Sequence, residues 1–179
     1  MQLQRIHHVA YRCHDAKATV EFYQEALGMA FDVAFSEDKV PSTGEPDPYM
    51  HVFLDAGGGN VLAFFELPNS PRMGRDANTP EWVQHIAFEL ASKDELLAAK
   101  AHLQGMGLDV IGPVNHGIFD SIYFFDPNGH RLELAVNKGS AEDRARLKDV
   151  AHDMLAEWAQ TKQAPQHARW LHELSQEEV

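Results

Sequence analysis

Apolar residues recur along this chain with two periods, and the switch between them repeats. A strand-like HVAY (His8–Tyr11) precedes a segment in which Val20, Tyr23 and Leu27 share one helical face. Two apolar runs follow, HVFLD (His51–Asp55) and VLAFFEL (Val61–Leu67). The series then starts again. HIAF (His85–Phe88) matches HVAY about 77 residues later and precedes a helical stretch with Leu96, Ala99 and Leu103 on one face. SIYFFD and HRLELAV then supply two further strand-like runs, and RLELA (Arg131–Ala135) matches FFELP (Phe64–Pro68). The pattern predicts an α+β fold built from two tandem βαβββ modules, residues 2–68 and 80–136, within a domain spanning 1–137.

Local signals place the breaks. Ser92 followed by Glu95 has the spacing of a capping box at a helix start. Asp126-Pro127-Asn128-Gly129 is a tight turn, since proline presets one central position and glycine accepts a positive φ. Gly57-Gly58-Gly59 precedes no helix and no Lys-Ser/Thr, so it predicts a hairpin turn and not a phosphate loop. Ser36–Pro48, with three prolines, predicts a mobile loop, and Asn69–Pro80 a linker. From Ser140, a plausible N-cap, the period becomes helical throughout. Leu147, Val150, Ala151, Met154, Leu155 and Trp158 form one stripe. Pro165 ends it, and a short helix carries Trp170, Leu171 and Leu174. Residues 138–179 thus read as a C-terminal helical extension that packs its stripe on the domain or on a second subunit.

Composition narrows the chemistry. The balance of 15 Lys+Arg against 27 Asp+Glu gives a net charge of −12, which disfavours nucleic acid as a partner. No apolar run is long enough to span a bilayer, and Met1–His8 is too short and polar for a signal peptide, so a cytoplasmic location is expected. The single cysteine, Cys13, excludes an intrachain disulfide and a cysteine-built metal cage and reads as a small buried residue. Eleven histidines direct attention to imidazole and carboxylate chemistry.

His8 and His85 occupy equivalent positions at the start of equivalent strands; Glu66 and Glu133 do so on the last strand of each module. Modules related by a pseudo-twofold axis would bring such equivalents towards that axis. Two imidazoles and up to two carboxylates suit a divalent first-row metal. His7 lies on the opposite strand face from His8. His51 is a strand residue that could line a pocket. His102, His152, His167 and His172 fall on helical segments and His130 follows a turn, all expected in solvent.

The segments HVAY, FYQEALG, HIAF and DPNGHRLEL together resemble the vicinal oxygen chelate superfamily of glyoxalases, bleomycin-resistance proteins and type I extradiol dioxygenases. The resemblance covers residues 4–137. It implies paired βαβββ modules forming a cupped mixed sheet around a divalent metal, with metal positions at His8, Glu66, His85 and Glu133. Ring-cleaving dioxygenases resemble a facial triad, here His8, His85 and Glu133. Glyoxalase-type lyases, isomerases and epimerases use a fourth ligand, here Glu66.

Tyr123 stands ten residues before Glu133, where the extradiol enzymes carry an active-site tyrosine, and His116 just upstream is a candidate proton carrier. The resemblance therefore favours a metal-dependent extradiol-type dioxygenase acting on a catecholic or hydroquinone-like aromatic, with Tyr123 and His116 catalytic and Fe(II) the favoured ion over Mn(II), Ni(II), Co(II) or Zn(II). The alternatives are a four-ligand lyase, isomerase or epimerase, and a binding protein without catalysis. The expected partners are a small aromatic molecule and a second copy of the chain in a homodimer, with no membrane.

Overall fold

In a computed structural model the described residues are 1–176, without the side chains of His172 and Ser175. The expectation for His172 therefore lies outside the described side chains. The element order is β1 (Val9–Cys13), α1 (Ala16–Leu27), β2 (Ala30–Lys39), β3 (Pro46–Asp55), β4 (Val61–Glu66), β5 (His85–Glu89), α2 (Lys93–Gly105), β6 (Ile111–Asn115), β7 (Phe119–Phe125), β8 (Arg131–Asn137), α3 (Ala141–Thr161) and α4 (Trp170–Ser175). The two sheets have orders β1-β4-β3-β2 and β5-β8-β7-β6. Both expected βαβββ modules are therefore present and share one topology. By contact the chain divides into a unit of Met1–His85 with Phe125–Arg131, and a unit of Ile86–Phe124 with the chain from Leu132 onward.

In the first unit β1 runs parallel to β4, and β3 lies antiparallel to both β4 and β2. Helix α1 begins where the Asp15 side chain accepts from Ala18 N and ends at Gly28 in the left-handed region at φ 65°. It buries Val20 and Tyr23, and the Tyr23 ring packs on Phe64 with centroids 5.0 Å apart. The segment expected to be a loop from Ser36 to Pro48 is instead largely strand, and only residues 40–45 connect β2 to β3. Prolines are tolerated there because β4 extends along β3 only as far as Met50, so Pro46 and Pro48 face no ladder on that side.

The turn after β7 anchors this unit. Asp126 is buried, and its carboxylate accepts from Asn128 N at 2.9 Å, His130 N at 2.8 Å, Asn128 Nδ2 at 3.0 Å and the Tyr23 hydroxyl at 3.1 Å. Tyr23 is fully buried, and burial beside Asp126 pushes its hydroxyl well above the usual phenol range, so it remains a donor. Tyr23→Phe removes one donor from a buried carboxylate without opening a cavity. The expected loss is about 1–3 kcal/mol of unfolding free energy, measurable by urea denaturation, and an unchanged midpoint would show that the bond contributes nothing. His130, expected in solvent, is half-buried: its Nε2 meets Arg12 O at 2.7 Å.

In the second unit Ile122, Phe124, Leu132 and Leu134 of the sheet are buried, as are Leu96 and Leu103 of α2. Ser92 caps Glu95 N as expected, but the Glu95 carboxylate reaches Ala91 N and not the cap itself. Ser140 and Asp143 form a full capping box on α3. No α3 residue is buried, and Leu155 and Trp158 of its apolar stripe are exposed, so the described residues cover that stripe only in part. His102 and His152 are exposed as expected, while His167 lies in a turn and not a helix, with Nε2 2.8 Å from Glu157 Oε2. Among the described residues no helix is long and apolar enough to cross a membrane.

Candidate functional site

Side chains alternate across a strand, so the pairing registers decide which residues share a face. In the first sheet Val9, Tyr11 and Cys13 pair with Leu62, Phe64 and Glu66. That face packs on α1. The opposite face carries Ala10, Arg12, Ala63 and Phe65, with His51 and Phe53 from β3. His8, one residue before β1, is exposed and belongs to this opposite face: its ring centroid lies 5.7 Å from Phe53 and 6.2 Å from His51. Its Nδ1 is 2.8 Å from His7 Nδ1. His51 stacks on Phe65 at 3.5 Å, and burial together with the nearby His8 imidazole holds its ring below the usual imidazole range.

The structure separates Glu66 from His8. Glu66 stands on the α1 face, where Oε2 accepts from Ala16 N at 2.7 Å in the first turn of the helix. A carboxylate there complements the positive end of the helix dipole. It also lines a cavity of about 690 Å³ between α1 and strands β2 and β3, walled by Val20, Phe31, Met50 and Val52. His8 is not among the residues lining it. Glu66 and His8 therefore occupy opposite faces of one sheet, and the repeat equivalence that paired Glu66 with Glu133 does not carry over to the face each occupies. Cys13, on the Glu66 face, is buried, and desolvation pushes its thiol up to about 11, which leaves it an inert packing residue.

The second sheet gathers the remaining positions. Asn137 Nδ2 donates to Glu89 Oε1, so odd-numbered residues of β8 and β5 share a face, and this face includes Glu133 and His85. The Ser121 hydroxyl donates to Glu133 Oε1, which places Ser121 and, by alternation, Tyr123 on that same face. Glu133 and Ser121 are both buried. His85 is exposed, with Nδ1 3.1 Å from Val83 O. His116 follows β6; its amide donates to Phe119 O at 2.9 Å and its ring stacks on Phe119 with centroids 4.6 Å apart. That contact aims His116 Nε2 at the Tyr123 hydroxyl, 2.9 Å away.

The second sheet thus brings His85, Glu133 and Tyr123 to one face, with His116 bonded to it. Ser121 was not singled out from the sequence, and the available signal was its strand parity with Tyr123. Imidazole and carboxylate donors fit a divalent first-row ion in kind. Among the described residues no group of three or more His, Cys, Asp or Glu side chains stands ready to hold such an ion.

Comparison with known proteins sets this geometry in a family. The profile of the Glyoxalase/Bleomycin resistance protein/Dioxygenase superfamily matches residues 5–134. The chain is 30% identical over 144 residues to the metallothiol transferase FosB of Staphylococcus epidermidis, covering 79% of this chain and 88% of that protein. It is 31% identical over 99 residues to a chlorohydroquinone/hydroquinone 1,2-dioxygenase of Sphingobium indicum, covering 55% of this chain and 30% of that one. In fold it resembles a glyoxylase/bleomycin resistance protein/dioxygenase domain from Frankia sp. EAN1pec, with a TM-score of 0.61 at 19% identity over 76% of this chain and all of that one. With the profile spanning nearly three quarters of the sequence and both modules present in the fold, the chain belongs to the Glyoxalase/Bleomycin resistance protein/Dioxygenase superfamily.

Proposed function

We propose that this protein is a ring-cleaving dioxygenase of the extradiol type acting on a small dihydroxybenzene. The observation that carries the proposal is the 2.9 Å contact of His116 Nε2 with the Tyr123 hydroxyl, on the sheet face that also holds Glu133 and His85. A tyrosine hydroxyl held by an imidazole can hydrogen-bond a phenolic oxygen and relay its proton, which a ring-cleaving reaction requires and a passive binder does not. The turning away of Glu66 supports three protein ligands over four, and so disfavours the lyase, isomerase and epimerase alternatives.

Members of the superfamily use divalent metals. Here His8, His85 and Glu133 would hold the ion, Fe(II) by preference, and the ion when bound would supply the meeting point of the aromatic diol and dioxygen. The chain's own residues do the rest. Tyr123 orients a substrate oxygen through its hydroxyl. His116 Nε2 takes a proton from, or returns one to, Tyr123 Oη. The Ser121 hydroxyl holds Glu133 Oε1 and so fixes the orientation of the carboxylate that would serve the ion. Partners of metal ligands typically tune affinity about 10–100-fold, so Ser121→Ala is expected to weaken metal binding on that order in a competition titration.

The test of function is oxygen uptake by anaerobically purified, iron-loaded protein across a panel of catechols and hydroquinones. Uptake with a yellow ring-opened product supports the proposal. A second reading, metal-dependent thiol transfer, has its own support: the similarity to FosB covers most of that protein, whereas the chain spans about a third of the hydroquinone dioxygenase. Absence of oxygen uptake together with metal-dependent transfer of a thiol to an electrophilic acceptor would decide for it.

A further inference from the structure

The extension after β8 lies wholly outside the family profile, which ends at residue 134, yet its last helix meets the loop that carries His116. Both flanks of His116 touch α4. On one side Asn115 Nδ2 donates to Leu174 O at 3.0 Å. On the other, Gly117 lies so close beneath Leu171 that a Cβ there would stand 2.5 Å from Leu171 Cδ1 and 3.0 Å from Leu171 O. Gly117 also adopts φ 85°, and its amide donates to Asn115 Oδ1 at 2.8 Å, which closes the turn around the imidazole. The loop is therefore pinned before and after His116 by one helix.

That helix is itself held in place. The Arg146 guanidinium of α3 lies 4.0 Å from the centroid of the Trp170 ring. His167 bonds Glu157 of α3, and Ala168 is buried. The route from α3 through α4 to the 115–117 loop is continuous, and at its end the His116 ring is stacked on Phe119 and bonded to Tyr123.

We propose that Leu171 is a positioning residue for His116: by packing on Gly117, α4 holds the loop so that the imidazole stays in register with the Tyr123 hydroxyl. The inference rests on the reading of His116 and Tyr123 as the proton-handling pair, but its geometry can be tested apart from that reading. A misplacement near 1 Å costs up to about 100-fold in rate where reacting groups must be aligned.

The measurement is the ring NMR signal of His116 in full-length, ligand-free protein with labelled histidine, at one fixed pH, assigned by its loss in His116→Gln. Leu171→Ala is expected to shift and broaden this signal, and Leu171→Met, which refills the volume, to restore it. With a turned-over diol, Leu171→Ala should lower kcat about tenfold or more while KM and bound metal stay within twofold. Asn115→Asp is the second variant. It keeps the acceptor for Gly117 N but sets an oxygen against Leu174 O, and it should move the same signal; it decides the case if Leu171→Ala does not fold. A His116 signal unmoved in a folded Leu171→Ala or Asn115→Asp protein overturns the inference. A moved signal in a protein that consumes no oxygen with any diol keeps the positioning and removes the dioxygenase reading.

Discussion

Glu133→Ala protein is expected to carry no stoichiometric divalent metal, whereas Glu66→Gln is expected to carry as much as the parent. The two glutamates hold equivalent places in the repeat, but their surroundings differ. Glu133 is 3% exposed, on the His85 face, and accepts the Ser121 hydroxyl. A carboxylate so buried needs a hydrogen bond or a cation to offset its desolvation, and alanine removes the anionic donor outright. Glu66 instead accepts the Ala16 amide at the start of α1, on the face away from His8. A glutamine keeps a carbonyl oxygen for that amide, so both fold and metal should survive. Elemental analysis of anaerobically purified proteins checks both. Full metal in Glu133→Ala would remove both ligand sets, whereas its loss in a folded Glu66→Gln would replace the three-residue set with the four-ligand alternative.

Tyr123→Phe is expected to slow turnover of a dihydroxybenzene by about 10²–10³, the usual cost of one well-placed donor in an active site. Metal content should not change. The hydroxyl is bonded to His116 Nε2, and its ring sits in a largely buried position on β7. Phenylalanine fills the same space, so the loss reads the hydroxyl and not the packing. His116→Gln, which retains hydrogen-bonding capacity but takes up no proton, should show a loss of the same kind, and the double variant should fall well short of the sum of the two. Such non-additivity marks residues that act as one unit. Steady-state oxygen uptake measures all three, and a Tyr123→Phe protein at the parent rate would exclude the pair from the chemistry.

Part of this was decided by local pattern. The repeat of HVAY in HIAF, the helical faces of Val20-Tyr23-Leu27 and Leu96-Ala99-Leu103, and the turn at Asp126–Gly129 follow from side-chain period and turn chemistry. These act over a few residues, and the two βαβββ modules, the strand starts just after His8 and at His85 and the strand position of Glu133 could all be read from them. The face taken by Glu66 was not encoded there. VLAFFE is a continuous apolar run without alternation, so only its register beside its hairpin partner β3 and beside the sequence-distant β1 decides which side each residue takes. The charged, proline-containing segment after Ser36 shows the same limit from the other side. Its composition suits a loop, but strand pairing with β3 extends it, because edge positions tolerate polar residues and missing donors. Loop contacts were the least legible. His116 meets Tyr123 because Phe119 stacks beneath it, and α4 reaches Gly117 because that residue has no side chain to keep Leu171 away. Both depend on backbone path and close packing between segments distant in sequence, which only the tertiary structure decides.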